Sequence, residues 1–343
     1  MAISVMSGVR LMFRCSWLLV CFVVALSGCG DSRETILHTM DAAPYPWTDK
    51  SPQYDPSAMR FVVFSDLTGG EREGVFEAAV AQINLLRPEL IVNVGDLIEG
   101  GTDLADLNAQ WDHFDERAGR ASAPVVYVGG NHDLMGFEMR DVWQQRIGPR
   151  YFHFRYRDVL FLVLDTDDHT PERMQEIIEM RTAAYEVART KGWGAFADTA
   201  YANHPEDETG MISTTQADDL VKAIQDNRDV RWTFVLAHKA PWKSDDMPGW
   251  LAIESALSSR PYTVFHGHRH AYQHEVRQGR DYIRLATTGG VFLPQNGPSM
   301  DHLVMVTVDE EGAHLANLKM SGILNKSGAV PVHPDLCLEA PCE

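Results

Sequence analysis

The sequence contains few cysteines and lacks an excess of basic residues. Five of its 343 residues are cysteine, and 30 Lys and Arg stand against 48 Asp and Glu, which gives a formal net charge of −18. Because no basic stripe offsets this acidic balance, we expect no nucleic-acid-binding surface. An acidic protein can still act on phosphate where bound cations supply positive charge. The length and the 45% hydrophobic content suit one large domain or two ordinary ones.

An apolar run near the N-terminus has the layout of an export signal. Residues 17–26 follow Arg10 and Arg14, and the run is too short to span a bilayer comfortably. Small residues then lead into Cys29, which resembles the signal of bacterial lipoproteins, in which the cysteine is lipidated. We therefore interpret residues 1–28 as a lipoprotein-type signal peptide. We expect an exported protein that is attached by lipid to a bacterial membrane, at the periplasmic face or the cell surface. An ordinary signal peptide with an incidental cysteine is the alternative.

The other cysteines give no support to a cysteine-based active site or a zinc cluster. Cys15 and Cys21 fall within the signal, which leaves Cys337 and Cys342 near the C-terminus. An exported protein meets an oxidising compartment. A disulfide that closes this short loop is one expectation, and two free thiols are the other.

Composition divides the rest of the chain into a tether, a folded domain and a tail. Residues 29–58 are polar and contain several prolines, which is typical of a tether. We assign residues 59–322 to one folded domain, with a long polar insertion at about 166–212, and residues 323–343 to a C-terminal tail.

Buried strands alternate with helical segments through the folded domain, which indicates an α/β fold. Apolar runs at 61–64 and 90–94 are typical of buried strands, and they lead into Asp66 and Asp96. A third run, 123–128, leads through two glycines into an amide, an imidazole and a carboxylate. Ligands bind at the carboxyl ends of strands in open α/β sheets, so these side chains form a candidate site.

Later strand ends add imidazoles to the candidate site. The run 232–237 ends at His238, and the run 262–265 leads into His268 and His270. Oxygen and imidazole donors together suit manganese, iron and zinc. Each motif alone is weak evidence, whereas five of them in order, each after a strand, predict a metal site. The candidate ligands are Asp66, Asp96, Asn131, His238, His268 and His270.

These motifs resemble the calcineurin-like metallophosphoesterase family over about residues 59–320. The segments 130–133 (Gly-Asn-His-Asp) and 267–270 (Gly-His-Arg-His) fit the family's third and fifth motifs. The resemblance implies a four-layer α/β/β/α sandwich with two central mixed sheets. The order of the segments 147–152 and 161–165 further resembles the branch that holds cyclic-nucleotide phosphodiesterases and purple acid phosphatase-like proteins.

The resemblance implies hydrolysis of a phosphomonoester or phosphodiester by a metal-activated water. Its cofactors would be two divalent or mixed-valence ions of manganese, iron or zinc, bridged by Asp96. In the family's pattern, Asp66 and His270 would bind the first ion. The ligands carried over to the second ion are Asn131, His238 and His268.

His132 and Arg269 are the candidate residues for contact with the substrate. The resemblance implies that His132 acts as the leaving-group acid or as a transition-state stabiliser. Arg269 lies beside two candidate ligands in the sequence and is predicted to contact the substrate, a phosphate ester. No residue pattern indicates which ester this is or which oligomeric state the protein adopts.

One position departs from the family's pattern. Thr68 stands where the family usually has a histidine ligand of the first metal. The first site is therefore expected to bind its ion weakly, to use water in that place, or to leave the protein with one tightly bound ion. Glu99 could supply a donor, since purple acid phosphatases place a metal-binding tyrosine three residues after the bridging aspartate, as Glu99 follows Asp96. The alternative is that Glu99 is a loop residue or an acid that contacts the ligands and not the metal. The departure keeps a second hypothesis open, namely a metallophosphoesterase-like binding or scaffold protein with an impaired metal site.

Several polar residues of the insertion are expected to lie in solvent. We expect His169 and His204 to be exposed loop histidines, with a contact to the substrate as the alternative. We expect Asp167 and Asp168 to form a solvated acidic turn.

Overall fold

The computed structural model describes residues 55–342. The expected signal peptide, Cys29 and nearly all of the tether therefore lie outside the described residues. The compact unit that carries the strand-end motifs begins at Ser57. Across the described range, no helix combines the length and the apolar content needed to cross a membrane.

The described residues form eleven strands and eight α-helices. The strands are β1 (Met59–Phe64), β2 (Leu90–Asn93), β3 (Val125–Val126), β4 (Phe152–Tyr156), β5 (Val159–Val163), β6 (Trp232–Leu236), β7 (Tyr262–His266), β8 (Gln273–Arg277), β9 (Arg280–Arg284), β10 (His302–Val308) and β11 (Ala313–Lys319). The α-helices are α1 (Val75–Leu86), α2 (Leu104–Ala118), α3 (Asn131–Leu134), α4 (Phe137–Arg146), α5 (Pro171–Lys191), α6 (Glu206–Thr209), α7 (Thr214–Asp226) and α8 (Pro248–Leu257).

The strands form two mixed sheets. The first has the order β11-β10-β1-β2-β3, in which β1, β2 and β3 are parallel and β10 is antiparallel to both of its neighbours. The second has the order β4-β5-β6-β7-β9-β8, in which the four central strands are parallel and the edge strands β4 and β8 are antiparallel. The expected pair of mixed central sheets is therefore confirmed.

Alternation along β1 shows how the layers are held together. Phe61 and Val63 belong to the core between the sheets, whereas Val62 and Phe64 belong to the core beneath the helices. The Phe61 ring lies 4.8 Å from the Phe234 ring of the second sheet, measured between centroids. Each such fully buried side chain contributes roughly 1.5–3 kcal/mol to stability. Helices α1, α2 and α4 cover the first sheet, and α7 and α8 cover the second, which completes the predicted α/β/β/α sandwich.

The third strand is shorter than its sequence indicates. The run 123–128 was expected to be a buried strand, but β3 contains two half-buried residues. The Asn93 side chain donates to the carbonyl of Val126 at 2.6 Å and accepts from the N–H of Val128 at 3.1 Å. These bonds replace the strand ladder next to the candidate site. Strand β8 was not predicted, because its polar, largely exposed sequence has no apolar run.

The insertion is a folded part of the domain. An isolated bridge between Asp167 and Met211 closes its base. Thr170 caps α5 by accepting from the N–H of Arg173, and Pro171 occupies the first turn, where its missing N–H has no cost. This helix buries few side chains, which explains why its sequence looks like a polar loop.

Residues 323–342 pack on the same body. Leu338 is buried in the core beneath the helices of the first sheet. The Arg72 guanidinium donates to the carbonyl of Cys337 at 2.8 Å. A disulfide joins Cys337 to Cys342, with the Cα atoms 5.8 Å apart, and this confirms the first of the two expectations for these cysteines.

Candidate metal centre

The candidate ligands lie where the backbone is strained. The φ angles are 46° at Asp66, 60° at Asp96, 76° at His268 and 48° at His270. Non-glycine residues adopt this left-handed region rarely, at a cost of about 1–3 kcal/mol each, although Asp and His tolerate it better than most residues. These four make up half of the eight described non-glycine residues with positive φ. Such clustering is typical of a functional site.

The first ligand group contains Asp66, Asp96 and His270. One donor atom from each lies within 4.8 Å of the other two. The Nε2 atom of His270 is 3.5 Å from Oδ1 of Asp66, and its Nδ1 atom is 2.6 Å from the carbonyl oxygen of Val291. A carbonyl oxygen only accepts, so Nδ1 carries the proton and Nε2 directs its lone pair at the carboxylates.

The second ligand group contains Asp96, His238 and His268, again with donor atoms within 4.8 Å of one another. Nε2 of His238 lies 3.2 Å from Oδ2 of Asp96 and 3.1 Å from Oδ1 of Asn131. Its Nδ1 atom is 2.8 Å from the carbonyl oxygen of Val94, which fixes the ring in the same way as in His270. The structure thus brings together all six predicted ligands, and Asp96 lies in both groups.

The donor chemistry fits metal ions. Among the described residues, the buried Nε2 atom of His268 has no hydrogen-bond partner. A buried imidazole nitrogen without a partner is costly unless a cation or a water occupies its lone pair. Carboxylate, amide and imidazole donors converge within a few ångströms, so the residues present suit two borderline metal ions that share Asp96.

Glycines allow the motif loops to approach one another closely. A Cβ atom at Gly130 would overlap Oδ1 of Asp96, and one at Gly267 would overlap Oδ2 of Asp66. At Gly95, whose φ is 101°, a Cβ atom would lie 2.7 Å from Nδ1 of His238. Any side chain at these positions would therefore push the ligands apart.

Asp133 joins the second and third motif loops. Its buried carboxylate accepts from the N–H groups of Gly130 and Asp96 at 2.8 Å, Leu97 at 3.0 Å and Ile98 at 3.1 Å. Three of these donors belong to the loop that carries Asp96, so the Asp133 carboxylate orients that loop. The sequence analysis gave Asp133 no separate role, and the available signal was its position as the last residue of the Gly-Asn-His-Asp segment.

Thr68 and Glu99 hold loops and belong to neither ligand group. The buried Thr68 hydroxyl donates to the carbonyl of Ile98 at 2.9 Å. The Glu99 carboxylate accepts from the N–H groups of Gly69, Gly70 and Glu71 at 3.2, 2.9 and 2.8 Å. The described structure therefore matches the loop alternative for Glu99, and it shows no replacement for the missing histidine at Thr68.

His132 is fixed beside the shared carboxylate. Its backbone N–H donates to Oδ1 of Asp96 at 2.9 Å. Its ring Nδ1 lies 2.9 Å from the carbonyl oxygen of Glu99, so Nδ1–H donates and Nε2 is left available. The side chain is 16% exposed, which leaves Nε2 open to a ligand that enters the site.

Opposite charges couple the buried ligands. Burial would lower the pKa of His238, but the Asp96 and Asp66 carboxylates raise the pKa of His238 to about 9. Burial would raise the pKa of Asp96, but His238 and His132 lower its pKa below the ordinary value. In the metal-free protein, His238 is therefore a cation paired with Asp96. A metal ion must displace this proton to bind.

Arg269 is already paired within the protein. Its guanidinium donates to the carboxylate of Asp207 at 2.9 Å and also binds Glu208, and both acids belong to the insertion. Oδ1 of Asp207 also lies 3.7 Å from Nε2 of His268. The predicted contact of Arg269 with substrate stays a prediction, since two carboxylates now neutralise this cation.

Three of the four insertion residues expected in solvent are buried. His169 is 5% exposed and His204 is 8% exposed. Asp167 is 1% exposed and accepts from Nζ of Lys239 at 2.8 Å. The prediction of exposure was wrong because the insertion folds back on the domain through the bridge at its base, which places these groups beneath it.

The chain is similar to known proteins in sequence pattern and in fold. The sequence profile described as calcineurin-like phosphoesterase matches residues 59–272. A dimetal phosphatase from Danio rerio has a similar structure, with a TM-score of 0.51 and 16% identity over 76% of this chain and 98% of that one. A purple acid phosphatase from yellow lupin (Lupinus luteus) gives a TM-score of 0.46 and 15% identity over 77% of this chain and 52% of that one. The first likeness supports the same fold. No curated protein matches the chain.

Proposed function

The chain belongs to the calcineurin-like phosphoesterase family, and on this premise we propose that it hydrolyses a phosphomonoester or phosphodiester as an exported, lipid-anchored protein. Membership of this family makes the chain a phosphoric ester hydrolase and supports metal dependence. The observation that carries the proposal is the pair of ligand groups that share Asp96. Two ions held there would activate a water molecule and neutralise charge on the attacking and leaving oxygens.

The protein's own residues would orient the reacting groups. The neutral donors Asn131, His238 and His268 leave the positive charge of bound ions uncompensated, which attracts a phosphoryl group. His132 is held by the Asp96 carboxylate and the Glu99 carbonyl, so its Nε2 atom can hold the proton that the leaving oxygen needs. We therefore assign His132 as the leaving-group acid.

Turnover of simple esters tests this proposal. Phenyl phosphate and bis(p-nitrophenyl) phosphate should be hydrolysed by the folded protein after addition of manganese, iron or zinc. His132→Ala should lower kcat about 10²–10⁴-fold, the usual contribution of a general acid, while metal content stays unchanged. His153→Ala, at an exposed position in β4, is the matched control. No hydrolysis of either ester with any of the three metals would contradict the proposal.

Export and anchoring depend on residues outside the described part. The apolar run and the small residues before Cys29 support lipidation. Metabolic labelling with a fatty acid should mark the full-length protein, and Cys29→Ser should abolish the label and release the protein from the membrane fraction. Cys337→Ser should keep the label. A label that survives Cys29→Ser would contradict the assignment.

Thr68 favours a second candidate, a binding or scaffold protein whose first metal site is impaired. Its hydroxyl is bound to Ile98 and offers the first ligand group no histidine-like donor. Metal analysis separates the two candidates, because an intact two-metal enzyme should carry close to two equivalents. Less than one equivalent together with no turnover would favour the second candidate.

A further inference from the structure

A cavity of about 700 Å³ opens beside His132. Its wall is built by the loop 99–102, the segment 135–139 and one side of α5 in the insertion. Pockets for small ligands usually measure about 300–1,000 Å³. The cavity therefore has room for more than a single aryl ring, and it adjoins the residue assigned as the leaving-group acid.

Exposed rings line this cavity. Phe137 is 40% exposed and Tyr185 is 41% exposed, and both contribute to the wall. The Tyr185 ring is held in place by aromatic contacts, with its centroid 5.8 Å from Trp193 and 5.9 Å from Phe196. Exposed apolar side chains that share one concave surface favour an apolar or ring-bearing ligand.

Arg181 is an unneutralised cation in the same wall. Its guanidinium lies 5.5 Å from the centroid of the Tyr185 ring. In the described part of the chain no carboxylate forms an ion pair with it, whereas Arg173 and Arg189 on the same helix are paired with Glu206 and Glu186.

Neighbouring groups favour the charged form of Arg181. Burial opposes the charge, but Tyr201 and Tyr185, the latter also through a hydrogen bond, raise the pKa of the guanidinium above the ordinary value, and the Asp96 carboxylate adds a smaller contribution. The group is therefore charged, and it lines the same cavity as His132. A guanidinium that no carboxylate neutralises is well suited to bind phosphoryl oxygens, because its planar fork matches their geometry.

We propose that this cavity binds the leaving group of the substrate, an alcohol with an uncharged ring system larger than phenyl, and that Arg181 binds a phosphoryl oxygen. The inference rests on the proposed function. Water adds its oxygen to phosphorus and releases one proton to solvent, the bond from phosphorus to the leaving oxygen breaks, and the alcohol departs with the proton held by His132, which solvent then replaces. Arg189 in the wall is already paired with Glu186, and Glu138 adds negative charge, so the wall disfavours a second anionic group on the alcohol.

Two aryl esters test the cavity in the full-length protein. Phenyl phosphate and 2-naphthyl phosphate have leaving groups of similar acidity, so a difference in kcat/KM reports recognition of the second ring. We expect 2-naphthyl phosphate to be preferred about tenfold, the lower end of what one added apolar group contributes in a pocket. Binding of 2-naphthol, followed by its fluorescence, measures the same recognition without turnover.

Two threonines on α5 provide a matched pair of variants. Thr182 lines the cavity and donates to the carbonyl of Ile178, while Thr190 makes the equivalent bond to Glu186 and lies outside the cavity wall. Thr182→Trp should remove the preference for the naphthyl ester and weaken 2-naphthol binding at least fivefold. Thr190→Trp should leave both unchanged.

Arg181 is tested by the inhibition constant of inorganic phosphate. Arg181→Gln should weaken inhibition at least tenfold, with Arg181→Lys intermediate, and Arg173→Gln should have no effect because Arg173 lies outside the cavity wall and already pairs with Glu206. Unchanged phosphate inhibition in Arg181→Gln would overturn its assigned contact.

The remaining outcomes separate the inference from the proposed function. Equal rates for the two esters, with 2-naphthol binding that Thr182→Trp leaves intact, would overturn the cavity assignment and keep the hydrolase. No turnover of either ester, together with 2-naphthol binding that Thr182→Trp removes, would overturn the proposed function and keep the ring site.

Discussion

The two ligand groups around Asp96 differ in how many donors the chain gives them. The second group gathers His238 and His268 around Asp96, with the Asn131 amide oxygen 3.1 Å from His238. Among residues 55–342, the first group has Asp66 and His270 alone beside the shared carboxylate. Two sites with a common ligand can therefore have unequal affinity for metal.

The difference does not come from poorly oriented imidazoles. His238 and His270 each donate from Nδ1 to a backbone carbonyl, at Val94 and Val291, and each directs Nε2 inward. What the first group lacks is a donor at Thr68, whose hydroxyl is used to join two loops. The comparison teaches that the first site is ordered but short of one ligand.

Removal of the shared Asp96 carboxylate should abolish metal binding by both ligand groups. Asp96→Asn keeps the shape of the side chain but removes the charge between the two groups. We expect loss of both ions and a fall in kcat/KM well beyond the roughly 10–100-fold that loss of an outer partner costs at a metal site. Metal analysis and phenyl phosphate turnover measure this. Asp245→Asn, at an exposed position, should behave as wild type, and retention of two equivalents in Asp96→Asn would contradict the bridging role.

Removal of one imidazole from each ligand group in turn should distinguish the metal affinities of the two groups. His238→Ala should abolish the tightly bound ion, whereas His270→Ala should keep it and lose only the weaker one. We expect at least a tenfold difference in metal affinity between the two variants, the scale of one partner at a metal site. Isothermal titration with zinc measures both affinities. Tighter zinc binding by His238→Ala than by His270→Ala would contradict the prediction that the second ligand group binds metal more tightly than the first.

Addition of a metal donor at position 68 should bring the metal affinity of the first ligand group closer to that of the second. Thr68→His should tighten the weaker site by about tenfold and raise the rate at limiting metal, since a single metal-site partner contributes on that scale. It gives up the bond to Ile98, which costs about 1 kcal/mol. Thr68→Val loses the same bond without adding a donor, so it is the control for stability. If both variants bind metal equally, the missing histidine is not what weakens the first half.

The last prediction needs no substitution and concerns the pH dependence of metal binding by the second ligand group. The pKa of His238 is raised from 6.5 to about 9 in the metal-free protein, so metal must displace its proton at neutral pH. Apparent affinity should rise about tenfold per pH unit up to pH 9 and then level off. Titration in buffers of different ionisation enthalpy should count about one proton released. Release of no proton at pH 7 would contradict a protonated His238.

The raised pKa of His238 also makes the stability of the metal-free protein fall as the pH rises, whereas metal affinity rises. A histidine whose folded pKa is raised stabilises the folded state below its unfolded value of 6.5, and this contribution is lost as the pH rises to about 9. Thermal unfolding of the metal-free protein should therefore show a falling Tm over this interval.

The sequence predicts the parts of the site that depend on local pattern. Apolar runs that end in Asp, Asn or His locate β1, β2, β6 and β7 and the ligands that follow them. The resemblance to a family then assigns those ligands to two ions.

Other features depend on contacts between distant residues. The bond from Thr68 to Ile98 and the three bonds from Asp96, Leu97 and Ile98 to Asp133 join separate loops, so no local pattern reports them. Burial of the Asp167–Lys239 pair arises only when the insertion closes. Arg181 could not be distinguished from other arginines of a polar helix until its lack of a carboxylate partner was visible.

The left-handed backbone at four ligands restricts how this site could be lost over evolutionary time. At Asp66, Asp96, His268 and His270 a β-branched replacement would add backbone strain to the loss of a donor, whereas asparagine or glycine would be accepted. A lineage that abandons metal should therefore keep asparagine or glycine at these positions as a trace. Thr68 is not among the left-handed residues. Its position could exchange a donor for a β-branched residue without that restriction, and that is the position at which the sequence departs from the pattern of the family it resembles.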